Sequence, residues 1–142
     1  MLTVGQLLAV KGRQLYSIGP QESVLRAIEV MATQHVGALL VMEQGNLLGV
    51  ISERDYARKV ILQNRSSHDT PVATIMSAPV ITVGLGDTVQ RCMELCTNQR
   101  IRHLPVVDAG AVVGMLSIGD LVKALLQEQS EHIEQLERYI AG

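Results

Sequence analysis

Twice in this chain a glycine, a serine and an aspartate recur at steps of three: Gly49, Ser52 and Asp55, then Gly114, Ser117 and Asp120. An ionised carboxylate offers two acceptor oxygens, which matches the neighbouring hydroxyls of a ribose 2′,3′-diol. If a helix begins at each serine, its first backbone N–H groups suit a polar or anionic ligand. The same residues also fit an architectural role. Serine is a favoured N-cap, and an aspartate in the first helical turn complements the helix dipole. The residue pattern leaves both readings open.

The elements that must position these residues come in two copies. Residues 24–61 and 89–126 align at a constant offset of 65 without a gap, and ten of 38 positions are identical. The identities include Val24/Val89, Leu39/Leu104, Val41/Val106, Gly45/Gly110 and Gly49/Gly114, besides the serines and aspartates. A repeat of this size governs the fold, and two copies make a pseudo-symmetric pair rather than a solenoid.

Residues 3–10 are a short apolar stretch with helical character. Leu15–Ile18 reads as a strand, and Gly19-Pro20 ends it. Ser23 caps a helix whose apolar face is Val24, Ala27, Ile28, Met31 and Ala32. Ala38–Met42 is a buried strand, Glu43–Asn46 a turn, Leu47–Ser52 the returning strand, and 53–63 a second helix. Each copy thus reads β-α-β-β-α. The second copy has Thr88 as a cap, Ile101–Val107 and Val112–Ser117 as strands, and 119–127 as a helix. Pro105 inside a strand implies an edge, a strand start or a bulge. The expected division is 1–63 for the first repeat, 64–74 for a polar linker with Pro71, 75–127 for the second repeat, and 128–142 for an amphipathic C-terminal helix. In that last segment Ile133, Leu136 and Ile140 form a narrow stripe that fits either docking on its own domain or, as its narrowness favours, a subunit contact.

The 142 residues are 47% hydrophobic and 18% charged, enough for a real core. Phe and Trp are absent, which argues against base-stacking platforms, and a net charge of −2 gives a phosphate backbone no general attraction. Nucleic acid is therefore disfavoured as a partner. No stretch reaches membrane-spanning length and no signal peptide is evident. Cys92 and Cys96 lie four apart on an apolar helical stripe, as small core residues in a reducing cytoplasm. No nucleophile elbow, zinc-protease helix or phosphate-binding loop is present. Gly84-Leu85-Gly86 lacks a third glycine in register, and His35, His68 and His132 have no companions at metal spacing. An enzyme is not expected.

The repeat, its paired endings, Met76, and the run Arg102-His103-Leu104-Pro105-Val106-Val107-Asp108 together resemble the cystathionine-β-synthase (CBS) domain family over about residues 3–127. The resemblance implies an α/β fold of two pseudo-twofold related β-α-β-β-α units packed through their sheets, a Bateman module, with clefts between the units. It implies an adenosine-containing ligand and no catalytic cofactor; the order of expectation is AMP, then NAD, ATP or ADP, and S-adenosylmethionine. By position, Asp55 and Asp120 would hold ribose hydroxyls, and Ser52 and Ser117 ribose or phosphate. Ser17, Ile18, Thr82 and Val83 would line the adenine ends. Gly37, Ala38, Arg102 and His103 fall near the phosphates, with Pro105 in the same strand and Arg54 beside Asp55. Arg54, Arg102, His103 and Arg58 could converge on one cleft and hold phosphate through charge-assisted bonds. His103 fits an ordinary strand histidine equally well. The copies differ at these basic positions, so two sites of unequal affinity, or one dinucleotide spanning them, are expected. The module would work as a cytoplasmic homodimer that passes ligand occupancy to an effector protein in trans. The competing reading is a scaffold with vestigial nucleotide pockets.

Overall fold

The computed structural model describes residues 1–141. The chain forms two compact units. One is continuous, Gln14–Ile81, and is called the inserted unit here. The other joins Met1–Arg13 to the residues from Thr82 onward and is called the split unit.

In the inserted unit, strand β1 (Ser17–Ile18) is followed by helix α2 (Val24–Gln34), strands β2 (Ala38–Glu43) and β3 (Asn46–Ser52), and a short helix α3 (Glu53–Tyr56), which runs on as a π-helical turn, Ala57–Ile61. Helix α1 (Val4–Lys11) precedes them and belongs to the split unit. The sheet order is β1-β2-β3, with β1 parallel and β3 antiparallel to β2. Ser23 caps α2 by accepting from the Arg26 N–H at 3.1 Å. Gln44 and Gly45, with φ of 51° and 79°, close the β2–β3 hairpin; two successive positive φ values are the signature of the tight turn that matches strand twist.

The split unit repeats this plan with α4 (Val89–Gln99), β4 (His103–Asp108), β5 (Ala111–Ser117) and α5 (Ile118–Ala141). Thr88 caps α4 on the Arg91 N–H at 3.0 Å, and Ala109 and Gly110 repeat the hairpin turn at φ of 51° and 80°. The cores superpose on the sequence repeat. Ile18, Val24, Ala27, Met31, Leu39, Val41 and Ile51 are buried, and so are Val83, Val89, Cys92, Cys96, Leu104, Val106 and Leu116.

Four expectations differ from what is found. First, the N-terminal segment does not belong with the first repeat. Val4, Leu7 and Leu8 are buried in the split unit, and the Val4 and Gly5 N–H groups donate to the Asp87 and Leu85 carbonyls at 2.8 and 2.9 Å. Second, residues 64–81, expected as a linker over 64–74 and the opening of the second repeat from 75, pack with the inserted unit. Val72 and Ile75 are in the inserted core, and Val24 N–H donates to Thr70 and Val72 N–H to Glu22 at 2.9 and 2.8 Å. Third, the opening strand of the second copy shrinks to one parallel bridge, Val83 to Val106. The Leu40 N–H donates to the Tyr16 carbonyl at 3.0 Å, but its counterpart, Pro105, has no N–H to offer. Fourth, α5 is one uninterrupted helix of 24 residues, so the C-terminal helix is not a separate element.

Candidate functional site

Each unit builds the same strand-to-helix junction. In the inserted unit Ala38 stands opposite Ser52 across the β2–β3 pair, and the Glu53 N–H donates to the Gly37 carbonyl at 3.0 Å. Ser52 closes a reciprocal cap. Its hydroxyl accepts from the Asp55 N–H at 3.1 Å, while its own N–H and hydroxyl donate to Asp55 Oδ2, both at 3.0 Å. The other carboxylate oxygen is also engaged. Ser77 Oγ donates to Asp55 Oδ1 at 3.3 Å, and Lys59 Nζ lies 3.1 Å from it while donating to the Ile75 carbonyl at 2.9 Å. The Asp55 side chain is mostly buried, at 12% exposure. Ser17 is exposed on β1, where it pairs with Leu40, and Arg54 is exposed on the first turn of α3.

In the split unit His103 stands opposite Ser117, and the Ile118 N–H donates to the Arg102 carbonyl at 2.9 Å. The Ser117 N–H donates to Asp120 Oδ2 at 2.8 Å, and the Asp120 N–H to Ser117 Oγ at 3.1 Å. Lys11, from the end of α1, closes on the same oxygen at 2.6 Å and also donates to the Met115 carbonyl. Burial works against a charged Asp120, but the Lys11 ammonium and the Ser117 donors outweigh it and hold the carboxyl below its ordinary value. Thr82 and Arg102 are exposed, and His103 is half-buried.

The residues expected from sequence therefore fall into two local sets. Ser17, Ile18, Gly37, Ala38, Ser52, Arg54 and Asp55 are all in the inserted unit; Thr82, Val83, Arg102, His103, Pro105, Ser117 and Asp120 are all in the split unit. Ile18, Ala38, Val83 and Pro105 are buried, so they offer backbone groups rather than side chains to a ligand. The architectural role of the serines and aspartates is fully realised. The carboxylates are nonetheless only partly enclosed, with Asp120 at 26% exposure.

Sequence reading missed Lys59, Ser77 and Lys11. Lys59 was legible as an i,i+4 partner of Asp55. Lys11 was not, since 109 positions separate it from Asp120. The two lysines are not repeat equivalents; the counterpart of Lys59 is Ala124. The glycines of the motif have a steric reason. A Cβ on Gly49 would lie 2.7 Å from Met76 Sδ and 2.9 Å from the Ser77 carbonyl oxygen, and one on Gly114 would lie 2.9 Å from the two Leu8 methyls. Among the described residues no group of three or more His, Cys, Asp or Glu is placed to hold a metal ion, and no helix is long and apolar enough to cross a membrane.

A family model for the CBS domain matches residues 8–62 and 72–127. The chain is 44% identical over 126 residues to the mitochondrial CBS domain-containing protein CBSX3 of Arabidopsis thaliana, covering 85% of this chain and 61% of that one. It thus spans about three-fifths of the length of that relative. The solved structure of a protein with CBS domains from Burkholderia ambifaria is 45% identical, with a TM-score of 0.85 over 89% of this chain and 96% of that one. The fold is also that of the CBS domain pair of the protein MJ0100, at 22% identity and a TM-score of 0.80 over 90% and 98% of the two chains; that pair was solved with 5′-methylthioadenosine and S-adenosyl-L-methionine.

Proposed function

This chain belongs to the CBS domain family, and we propose that it is a regulatory module that binds an adenosine-containing ligand and signals its occupancy to an effector protein in trans. The observation that carries this reading is the pair of partly exposed carboxylates, Asp55 and Asp120, each fixed by a serine cap at the mouth of a strand-to-helix junction. The cap holds the carboxylate in a fixed orientation, and a carboxylate so held can accept both hydroxyls of a ribose. The bound methylthioadenosine and S-adenosylmethionine of MJ0100 support the ligand class.

The lysines give the ligand something to displace. A ribose diol at Asp55 would take the place of Ser77 and Lys59 on Oδ1, leaving the Lys59 ammonium beside the ligand and open to a phosphate. Lys11 would do the same at Asp120. The lysines arrive from different elements, one from the aspartate's own helix and one from α1. The basic residues nearby also differ, Arg54 in one unit and Arg102 with His103 in the other. Unequal affinities follow. AMP is the first ligand to test, then NAD, ATP, ADP and S-adenosylmethionine. The module works as a cytoplasmic homodimer with no chemistry of its own. A ligand shifts its conformation only by binding one arrangement better than another.

Calorimetric titration tests this, with Asp55→Ala and Asp120→Ala examined singly and together. The expected result is binding in two unequal steps, each abolished by one substitution, with the variants folded by circular dichroism. Two equal and independent AMP sites would remove the asymmetry. No heat from any adenosine ligand would remove the sensor reading and leave the scaffold reading, which a partner pull-down would then address.

A further inference from the structure

The two junctions hold the same serine and aspartate but differ in the charge of their rims. In the inserted unit residue 37 forms the rim. Its carbonyl accepts from the Glu53 N–H at 3.0 Å, and the next residue, Ala38, pairs with Ser52. Gly37 has no side chain, and a carboxylate overlooks its place: a Cβ on Gly37 would lie 3.9 Å from Glu53 Oε1. The split unit keeps the backbone frame, with the Ile118 N–H on the Arg102 carbonyl at 2.9 Å and His103 opposite Ser117. At the repeat offset, Arg102 replaces Gly37, His103 replaces Ala38, Ile118 replaces Glu53 and Gly119 replaces Arg54. One frame therefore sets a glutamate over a bare glycine in one unit and an arginine beside an isoleucine in the other.

The lysines do not cancel this difference. Each aspartate has one, Lys59 at 3.1 Å and Lys11 at 2.6 Å, so they count equally in both units. Arg54 brings a positive charge to the inserted rim, but adjacent residues on a helix point in different directions, and it is Glu53 that reaches Gly37. Glu53 and Arg54 leave the inserted rim with no net charge, while Arg102 gives the split rim a positive one. Adenosine compounds share a base and a ribose diol and differ in the 5′ group. A 5′-phosphate is anionic and a 5′-methylthio group is not. On a ribose held by Asp55, a phosphate meets a second carboxylate two residues away on the same short helix. We infer that Glu53 selects against phosphate in the inserted unit, so that this unit takes an adenosine with an uncharged or cationic 5′ group and the split unit takes a 5′-phosphorylated one. The inference rests on the adenosine reading above and adds the chemical class that each unit accepts. AMP then reaches the inserted unit only as the weaker of its two steps, and the module responds to two kinds of adenosine compound.

Calorimetry on the whole chain tests each unit in turn, with Asp120→Ala leaving the inserted site and Asp55→Ala the split one. The inserted site should bind 5′-methylthioadenosine more tightly than AMP, and the split site should reverse that order. A carboxylate and a doubly charged phosphate about 6 Å apart repel enough to weaken binding about tenfold at low salt. In the Asp120→Ala chain, Glu53→Gln should therefore raise the affinity for AMP relative to 5′-methylthioadenosine about tenfold, and by less at high salt, where the charges are screened. Gly37→Arg is a second and independent probe. The position has space for a Cβ, and the arginine reproduces the charge of its twin, so AMP should gain again. Circular dichroism shows that each variant is folded. AMP binding the inserted site as tightly as 5′-methylthioadenosine, or a ratio that Glu53→Gln or Gly37→Arg leaves unmoved, would overturn the role of Glu53 while the adenosine reading stands. No heat from either compound with the wild-type chain would remove both.

Discussion

Replacing Gly49 with alanine sets two effects against each other. Gly49 has no positive φ, so alanine suits its backbone and restricts the unfolded chain, which favours folding by about 0.4–1 kcal/mol. The new methyl, however, would lie 2.7 Å from Met76 Sδ and 2.9 Å from the Ser77 carbonyl oxygen. The thioether can rotate, but the carbonyl is backbone, and it accepts from the Val50 N–H at 3.2 Å while the Ser77 N–H donates back at 2.9 Å. Relief requires this bridge to part, and overpacking of that kind costs about 1–3 kcal/mol. The steric effect wins, for a net loss of about 1–2 kcal/mol. At about 4 °C per kcal/mol for a chain of this size, Tm should fall by about 4–8 °C. Gly114→Ala is the internal control. Its methyl would meet only the terminal carbons of Leu8, so the loss should be smaller by about 1 kcal/mol. Urea unfolding of the two variants beside wild type measures both. Equal losses, or a larger loss at Gly114, would refute the claim that the backbone contact at Ser77 makes the difference.

Three further outcomes follow from the geometry. Because Asp120 titrates below its ordinary value in the folded state, its charged form stabilises the fold fully above the unfolded value near 3.8, and that contribution fades as pH falls through the folded value; Lys11→Met should shrink this acid loss, and superimposable acid-unfolding curves would show that Lys11 does not hold the carboxylate. Burial raises the Cys92 thiol to about 11, so at pH 8 about one thiol in a thousand is ionised and labelling by a thiol reagent should require unfolding; prompt labelling in native buffer would contradict the packing. Pro105→Leu should create an amide that donates to the Ile81 carbonyl, as Leu40 does to Tyr16, and hydrogen exchange should find it protected; rapid exchange would show that the proline is not what shortens this strand.

The local plan of both units was legible because it is written twice. Helix caps at Ser23 and Thr88, the hairpin strands and the serine–aspartate endings all depend on residues a few positions apart, and the repeat confirmed each against its twin. The unforeseen features depend on distant contacts. That α1 packs beside Gly114 rather than with β1 is decided by Leu8, and no periodicity in residues 3–10 encodes the partner. The same holds for Lys11 at Asp120. Lys59 was different: it stands four residues after Asp55, a spacing that the sequence alone displays. The shrunken first strand of the second copy was half visible, since Pro105 was recognised as foreign to a strand interior while its effect on the neighbouring segment was not drawn.

The split unit also fixes an order of events during synthesis. Helix α1 is made first, yet the strand that receives Leu8 lies about a hundred residues further along. At roughly 5–20 residues per second, α1 waits some 5–20 seconds for it. Meanwhile the inserted unit, complete by Ile81, is free to fold on the ribosome. A nascent chain halted once Ile81 has cleared the ribosome should therefore hold one finished unit and one bare apolar segment, the species that a ribosome-bound chaperone would meet.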